Sequence, residues 1–276
     1  MQLSRTAAHS LALHKPLMLL VALSLLEADG AQRSWRPSEL APPLRAVWAT
    51  YSGSPAAADA ALACFELAGE PFWKIAGGRP ASPAALRGQD SAAHLHPAKL
   101  GELVATDRAA RLDLAEAVVA RWWPPAVGPQ LLEALALRRT YRLVVLAPGQ
   151  LEACLANGTW GVQSYVELNG WRCGDGLLVH VTQAGELRAT AIATRDPHEA
   201  HTSWQNTDRK RHPRQIAFRV TARLAPGVST KRALEPVRRG APENWFKGFL
   251  AASHALEAAD AAALLAAVED ALAASA

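Results

Sequence analysis

The spacing of apolar and polar residues divides the chain near residue 140. Up to that point the pattern is helical. Apolar positions recur at three- and four-residue intervals, or fill whole turns, over 16–28, 38–49, 55–67, 97–104, 106–122 and 129–137, and these stretches predict helices. Within 113–121 an apolar face of helical spacing lies opposite Asp113, Glu116 and Arg121. One glycine-flanked stretch, 69–78, interrupts this half as a non-helical segment. Beyond 140 the period shortens. Runs at 141–146, 177–181, 187–192 and 215–220 suit strands and are bounded by Gly, Pro or Asp. A Pro148-Gly149 turn leads into a helix-like stretch at 150–155, Trp171 to Gly176 makes a tight turn into a buried strand, and Gln183-Ala184-Gly185 is a hairpin turn. Two helices, 243–254 and 259–274, close the chain, with Asp260 placed against the second helix's N-terminal dipole. The pattern shows neither an internal repeat nor a low-complexity linker. It predicts an α+β protein: a mostly α-helical N-terminal domain over 1–139, then a small mixed β-barrel with C-terminal helices over 140–276.

Composition sharpens this picture in three places. A chain of 276 residues, half hydrophobic and a fifth charged, is folded rather than disordered and has room for two domains. The net charge of +4 is mild, but its distribution is not. The segment 195–240 holds eleven Lys or Arg against four acids, a local +7, so the remainder sums to −3. Such a concentration beside aromatic residues is the footprint of a nucleic-acid face, with a solvated Arg-rich surface as the plainer alternative. Cys64, Cys154 and Cys173 are odd in number, widely spaced and without a CxxC, which points to a reducing, cytoplasmic setting and away from disulfides or structural zinc. Against this stands the apolar run Leu17 to Leu26, of signal-peptide length and preceded by Arg5, His14 and Lys15. Pro16 fits the first position of a folded helix instead, the leading segment is long for a signal, and the run is too short to span a bilayer. No membrane association is expected.

The candidate chemistry is aromatic. Nine Trp outnumber five Phe and three Tyr. In Asn157-Gly158-Thr159-Trp160-Gly161-Val162 a large ring stands between glycines just after a helix end, which predicts a loop tryptophan offering its face to a planar group. Placement in the barrel core is the competing reading.

The order of elements around that segment, together with Tyr141-Arg142-Leu143-Val144-Val145-Leu146, Gly158 to Val162, Cys173-Gly174-Asp175-Gly176-Leu177 and the run from His212 to Arg219, resembles the EVE/YTH-like group of PUA-fold domains. The resemblance covers residues 140 to the C-terminus. It implies a pocket for a modified base, such as a methylated adenine or cytosine, held in an aromatic cage. Trp160 takes the place of one wall and Trp204 of the second, while Ser164, Asn206 and Asp208 are placed to read the base edge. Two stacked walls at about 1–3 kcal/mol each offset the few kcal/mol needed to unstack a base. Trp204 capping the sheet is the alternative, and Trp171 reads as structural. Arg209, Lys210 and Arg211 with His212 and Arg214 would grip phosphates, adding affinity without sequence information.

Three blocks in the N-terminal half carry a second likeness: His14-Lys15-Pro16-Leu17, then Glu70-Pro71-Phe72-Trp73-Lys74-Ile75, then Arg121-Trp122-Trp123-Pro124-Pro125. In this order and spacing they resemble the sulfur-binding domain that precedes the HNH nuclease in McrA-type, modification-dependent restriction enzymes. The likeness covers about residues 10 to 138 and implies recognition of phosphorothioate DNA, in which sulfur replaces a non-bridging oxygen. Sulfur is larger, more polarizable and a poorer acceptor than oxygen, so its pocket needs apolar walls beside a cation. The resemblance puts Trp123, Pro124 and Val127 at the wall and Trp73 and Lys74 at the polar and basic contacts. Lys74 departs from the arginine expected there, and Trp123 from the ring expected before Pro124. Core burial competes for Trp73 and Trp123, and is the better reading for Phe72 and Trp122.

No HNH arrangement, no carboxylate pair with a following lysine and no P-loop occurs. His94 with His96, and His198 with His201, have metal-ligand spacing, but solvated loop histidines are the simpler reading. No cofactor is expected. The sequence therefore predicts a non-catalytic reader of double-stranded modified DNA, the recognition component of a restriction or defence system whose nuclease is a separate subunit. A reader of modified or structured RNA, and a nuclease with an unrecognised site, are the alternatives. Oligomeric state and the identity of each mark are not legible.

Overall fold

The computed structural model describes residues 13–29, 34–54, 56–95, 102–162, 168, 170–200, 212–242, 245–251 and 255–275. The chain forms two compact units, residues 1–138 and 139–276.

The first unit is built around α1 (His14–Asp29). Leu17, Met18, Leu20, Val21, Ala22, Leu23 and Leu26 have no accessible surface, so the run of signal-peptide length is the central core helix. A helix apolar all round is stable in water only when neighbours enclose it. Here α2 (Pro37–Tyr51), α3 (Ala60–Leu67) and α6 (Arg108–Trp122) do so. Three further helices, α4 (Pro83–Gln89), α5 (Glu102–Thr106) and α7 (Gly128–Ala134), complete the shell. At the end of α1 the Glu27 carboxylate takes the Arg108 and Arg111 guanidinium groups, and Arg111 Nη1 also donates to Val104 O at 2.7 Å. Asp59 and Asp107 accept backbone N–H groups at the starts of α3 and α6, as helix N-caps do.

The segment expected to be a single non-helical interruption belongs to a small sheet. Strands β1 (Ser34–Trp35), β2 (Trp73–Ile75) and β3 (Ala93–Leu95) pair antiparallel in the order β1-β3-β2. Trp35, Trp73, Ile75, Ala93 and Leu95 face the core, which leaves Ser34, Lys74 and His94 on the opposite face.

The second unit carries a six-stranded sheet. Its strands are β4 (Tyr141–Leu146), β5 (Thr159–Val162), β6 (Gly176–Val181), β7 (Glu186–Ala193), β8 (His198–Glu199) and β9 (Arg214–Ser229). The path runs β4-β6-β7-β9-β5, with β8 paired to β9; β4 and β6 are parallel, the other pairs antiparallel. Among the described residues β4 and β5 end the path without pairing to each other, so the expected barrel is an open sheet. β9 joins its parts, pairing with β7 over Phe218–Ser229 and with β5 over Arg214–Ala217. One face packs Val144, Leu177, Val179 and Ala191 against Cys154 and Leu155 of α8 (Leu151–Asn157). The other packs Leu143, Leu178 and Leu224 under α9 (Thr230–Leu234), α10 (Trp245–Ala251) and α11 (Ala258–Ala273). Asp260 sits in the first turn of α11, buried, where Arg238 holds both its oxygens. No helix of the described residues is long and apolar enough to cross a membrane.

Candidate nucleic-acid interface

In the first unit the candidate residues come from two short segments. On β2 the strand alternation decides their fate: Trp73 is wholly buried, Lys74 exposed, Ile75 buried. Trp73 therefore belongs to the core, and its neighbour presents the charge. The indole Nε1 atoms of Trp73 and Trp35 are buried and have no hydrogen-bond partner among the described residues. The register sets Lys74 opposite His94, and His94 opposite Ser34. The only signal for this row in the sequence is the apolar–polar–apolar triplet Ala93-His94-Leu95, which mirrors Trp73-Lys74-Ile75.

The second segment is the turn between α6 and α7. At Trp123 the backbone leaves the helix for an extended conformation, with its N–H still bonded to Val119 O. That change turns the Trp123 ring inward, 5% exposed, where Nε1 donates to Tyr51 O at 2.8 Å. Trp122, still on the helix, stays outside at 41% exposed, contrary to the core position expected for it. Phe72 is half-buried and packs on the core. Val127 N and Gly128 N both bond to Pro124 O, at 2.9 and 3.1 Å, which closes a tight turn. Pro124 and Val127 are half-buried on it, and Val127 packs on the core that also holds Trp73 and Trp123. Gly128 is required here, because a Cβ would lie 2.4 Å from Val119 Cγ1. Of the five residues that the resemblance names, Lys74 is exposed on a strand and Pro124 and Val127 are half-buried on a turn, while Trp73 and Trp123 are core residues.

In the second unit Trp160 is on a strand rather than a loop. Gly158 ends α8 at φ +58°, its N–H bonded to Cys154 O, and the chain passes directly into β5. Trp160 pairs with Ile216 on β9 and is 8% exposed, so it contributes to the core, the competing reading of its sequence context. Its ring lies 5.6 Å from that of Trp171. Trp171 in turn carries the Arg142 guanidinium 4.9 Å above its face, and Arg142 Nε donates to Asp175 Oδ2 at 2.9 Å. The Gly174-Asp175 turn is therefore a buried structural hub, and Trp171 is structural as expected. Arg214, half-buried, opens β9 in register with Val162 and Glu199. Ser164, Trp204, Asn206, Asp208, Arg209, Lys210 and Arg211 lie outside the described residues.

Two of the three cysteines are inert. Burial pushes the Cys64 and Cys154 thiols up to about 12, so neither is a nucleophile near neutrality. His198 Nε2 lies 2.7 Å from Arg195 Nη2, and burial together with that cation lowers the imidazole's affinity for a proton. Its ring nitrogen is taken by a guanidinium, and His96 and His201 lie outside the described residues. Among the described residues no group of three His, Cys, Asp or Glu is placed to hold a metal ion.

Comparison with known proteins adds the following. Residues 1–140 match the family model of ScoMcrA-like DNA sulfur-binding domains. Among solved structures the chain is similar to the sulfur binding domain of SprMcrA complexed with phosphorothioated DNA, at 19% identity over 50% of this chain and 88% of that one, with a TM-score of 0.39. It is similar also to the type IV phosphorothioation-dependent restriction endonuclease ScoMcrA, at 16% identity over 80% of this chain and 55% of that one, with a TM-score of 0.36. A third similar structure is the YTH domain of Zygosaccharomyces rouxii MRB1 in complex with N6-methyladenosine RNA, at 12% identity over 46% of this chain and 85% of that one, with a TM-score of 0.33. No curated protein sequence matches the chain.

Proposed function

The chain belongs to the family of ScoMcrA-like DNA sulfur-binding domains through residues 1–140, and from that premise we propose that it reads phosphorothioate-modified duplex DNA. The family match is the observation that carries this reading. Two features of the first unit support it. Lys74 stands exposed on a strand whose inner face is locked into the core. Pro124 and Val127 form a half-buried apolar turn on the same core. An apolar surface costs less to place against sulfur than against a well-solvated phosphate oxygen, and the lysine ammonium balances the charge that both carry. Lysine does so as a point charge, without the two-pronged geometry of arginine.

The second unit, on this reading, supplies a base-reading pocket with Trp160 at one wall and Trp204, Ser164, Asn206 and Asp208 around it. Arg209, Lys210, Arg211 and Arg214 hold the backbone beside it. The chain acts as a non-catalytic recognition component in the cytoplasm, and cleavage falls to a separate nuclease subunit.

The test is binding of the whole chain to matched duplexes that are plain, phosphorothioate-modified or base-methylated, at one fixed salt concentration. Phosphorothioate duplex is expected to bind more tightly than plain duplex, and Lys74→Ala to weaken binding to both. Equal affinity for the two duplexes removes sulfur recognition. Tighter binding of plain RNA than of any duplex replaces the DNA reading with an RNA one, and metal-dependent cleavage by the purified chain overturns the non-catalytic assignment.

A further inference from the structure

The loop that follows β2 carries a cation with no assigned role. Gly78 N donates to Ile75 O at 3.0 Å, which closes a turn over 75–78 directly behind Lys74. Gly77 stands at the third position of that turn with φ +81°, the left-handed conformation that makes glycine the favoured residue there in a type II turn. Such a turn brings its first and last Cα atoms within about 7 Å of each other. One further residue at each end, at about 3.8 Å apiece, puts the Arg79 Cα no more than about 15 Å from that of Lys74. Both side chains are exposed. Two long cationic side chains rooted this close together can reach one duplex, whose major groove is about 12 Å wide.

Arg79 is held in place without its donors being used. Its guanidinium carbon lies 4.4 Å from the centre of the Phe65 ring. Phe65 is half-buried on α3 and packs on the core of the first unit. Stacking occupies the flat face of a guanidinium and leaves the N–H groups in its plane able to donate. Among the described residues Arg79 makes no hydrogen bond and no ion pair. Glu70, the acid closest to it in sequence, is taken by Lys15, with Nζ 2.8 Å from Oε1. A planar fork of this kind matches two oxygens of one phosphate. A phosphorothioate offers one non-bridging oxygen beside its sulfur, the poorer acceptor, so the fork fits an unmodified phosphate better.

We infer that Arg79 is a backbone clamp, a stacked, two-pronged contact to an unmodified phosphate near the one met by Lys74. It supplies the planar geometry that a lysine lacks. The inference rests on the reading that the first unit binds DNA. Because the clamped phosphate carries no sulfur, the clamp contributes equally to plain and phosphorothioate duplexes.

Salt titration of duplex binding by the full-length chain tests this, with the melting temperature measured alongside. One phosphate contact contributes about 0.9 to the slope of log affinity against log salt, or about a three- to fourfold loss between roughly 50 and 200 mM salt. Arg79→Ala is expected to lower the slope by about 0.9 and to weaken both duplexes severalfold, with the ratio between them unchanged. Arg79→Lys should keep the slope yet bind both duplexes more weakly than the parent, because a point charge cannot make the two-pronged contact. Phe65→Leu should act in the same direction as Arg79→Lys, and should add little once Arg79 is already replaced by alanine. If Arg79→Lys binds as tightly as the parent, charge alone suffices and the clamp is overturned. A loss of binding in Arg79→Ala that comes with a lower melting temperature and an unchanged slope overturns it too, as the mark of a purely structural stack. If Arg79→Ala binds both duplexes like the parent while Lys74→Ala binds weakly, the clamp falls and the DNA reading stands. If the parent chain binds neither duplex, clamp and reading fall together.

Discussion

His180 shows how strongly one position can be set by its surroundings. It lies on β6 with no accessible surface, Nδ1 2.8 Å from Thr230 Oγ1, Nε2 buried without a partner among the described residues, and the edge of Phe246 beside it. Burial lowers the imidazole to about 4. In the unfolded chain the same ring titrates near 6.5. Between those values the unfolded state binds the extra proton, so stability is complete above about pH 6.5 and falls as pH drops toward 4. The loss approaches about 3 kcal/mol at its limit. Chemical denaturation of the chain and of His180→Asn at about pH 7.5 and pH 5 isolates the effect. The parent should lose more stability than the variant over that interval, and an equal loss would show that the ring is not held neutral. Trp73 and Lys74 make the same point on a surface. They are adjacent in sequence, yet strand alternation puts one in the core and the other in solvent. Their sequence context marked both as contacts. Which of the two was buried depended on a register that three residues cannot announce.

Elements inherit such constraints from their neighbours. The turn that carries Pro124 and Val127 depends on Gly128, whose missing Cβ makes room for Val119 Cγ1. Gly128→Ala should cost about 1–3 kcal/mol through overpacking and should weaken duplex binding by moving the turn. Val119→Ala removes the clashing methyl, so the double variant should lose less stability than the two single losses added together. Simple additivity in thermal or denaturant melts would mean that the turn absorbs the methyl elsewhere. The same logic separates elements that were legible in the sequence from those that were not. α1 and β4 follow from nearly continuous apolar runs whose lengths suit a helix and a strand, and β4 spans the very residues expected, Tyr141–Leu146. β1 and β3 have two and three residues, too few for any pattern, and exist because β2 and the core hold them. β9 runs past its expected end at 220 to Ser229 although Pro226-Gly227 reads as a breaker. Its register with β7 skips from Arg223 to Val228, so the proline falls in an irregular stretch where its missing N–H breaks no ladder bond. Trp160 was misplaced for a related reason. The glycines around it signal a turn, but only Gly158 makes one, and β9 recruits the residues that follow into a strand.

At the scale of the whole molecule, two units with separate cores sit on one chain. If the first holds a phosphorothioate and the second a modified base, as proposed, the first contact to form raises the effective concentration of the second site. Overall affinity for a duplex bearing both marks can then exceed either single affinity by about 10²–10⁴, provided the spacing lets both engage. The physics makes a distinctive demand. A duplex with both marks should bind far more tightly than either singly marked duplex, and the gain should rise and fall as the marks are moved apart along the helix. Phosphate contacts alone cannot produce this, because backbone charge is the same at every separation. A series of duplexes with increasing separation, measured at fixed salt, therefore distinguishes joint reading from two neighbouring but independent modules. A gain that is absent at all separations would leave the family's sulfur-reading unit as the sole reader, with the second unit contributing only charge.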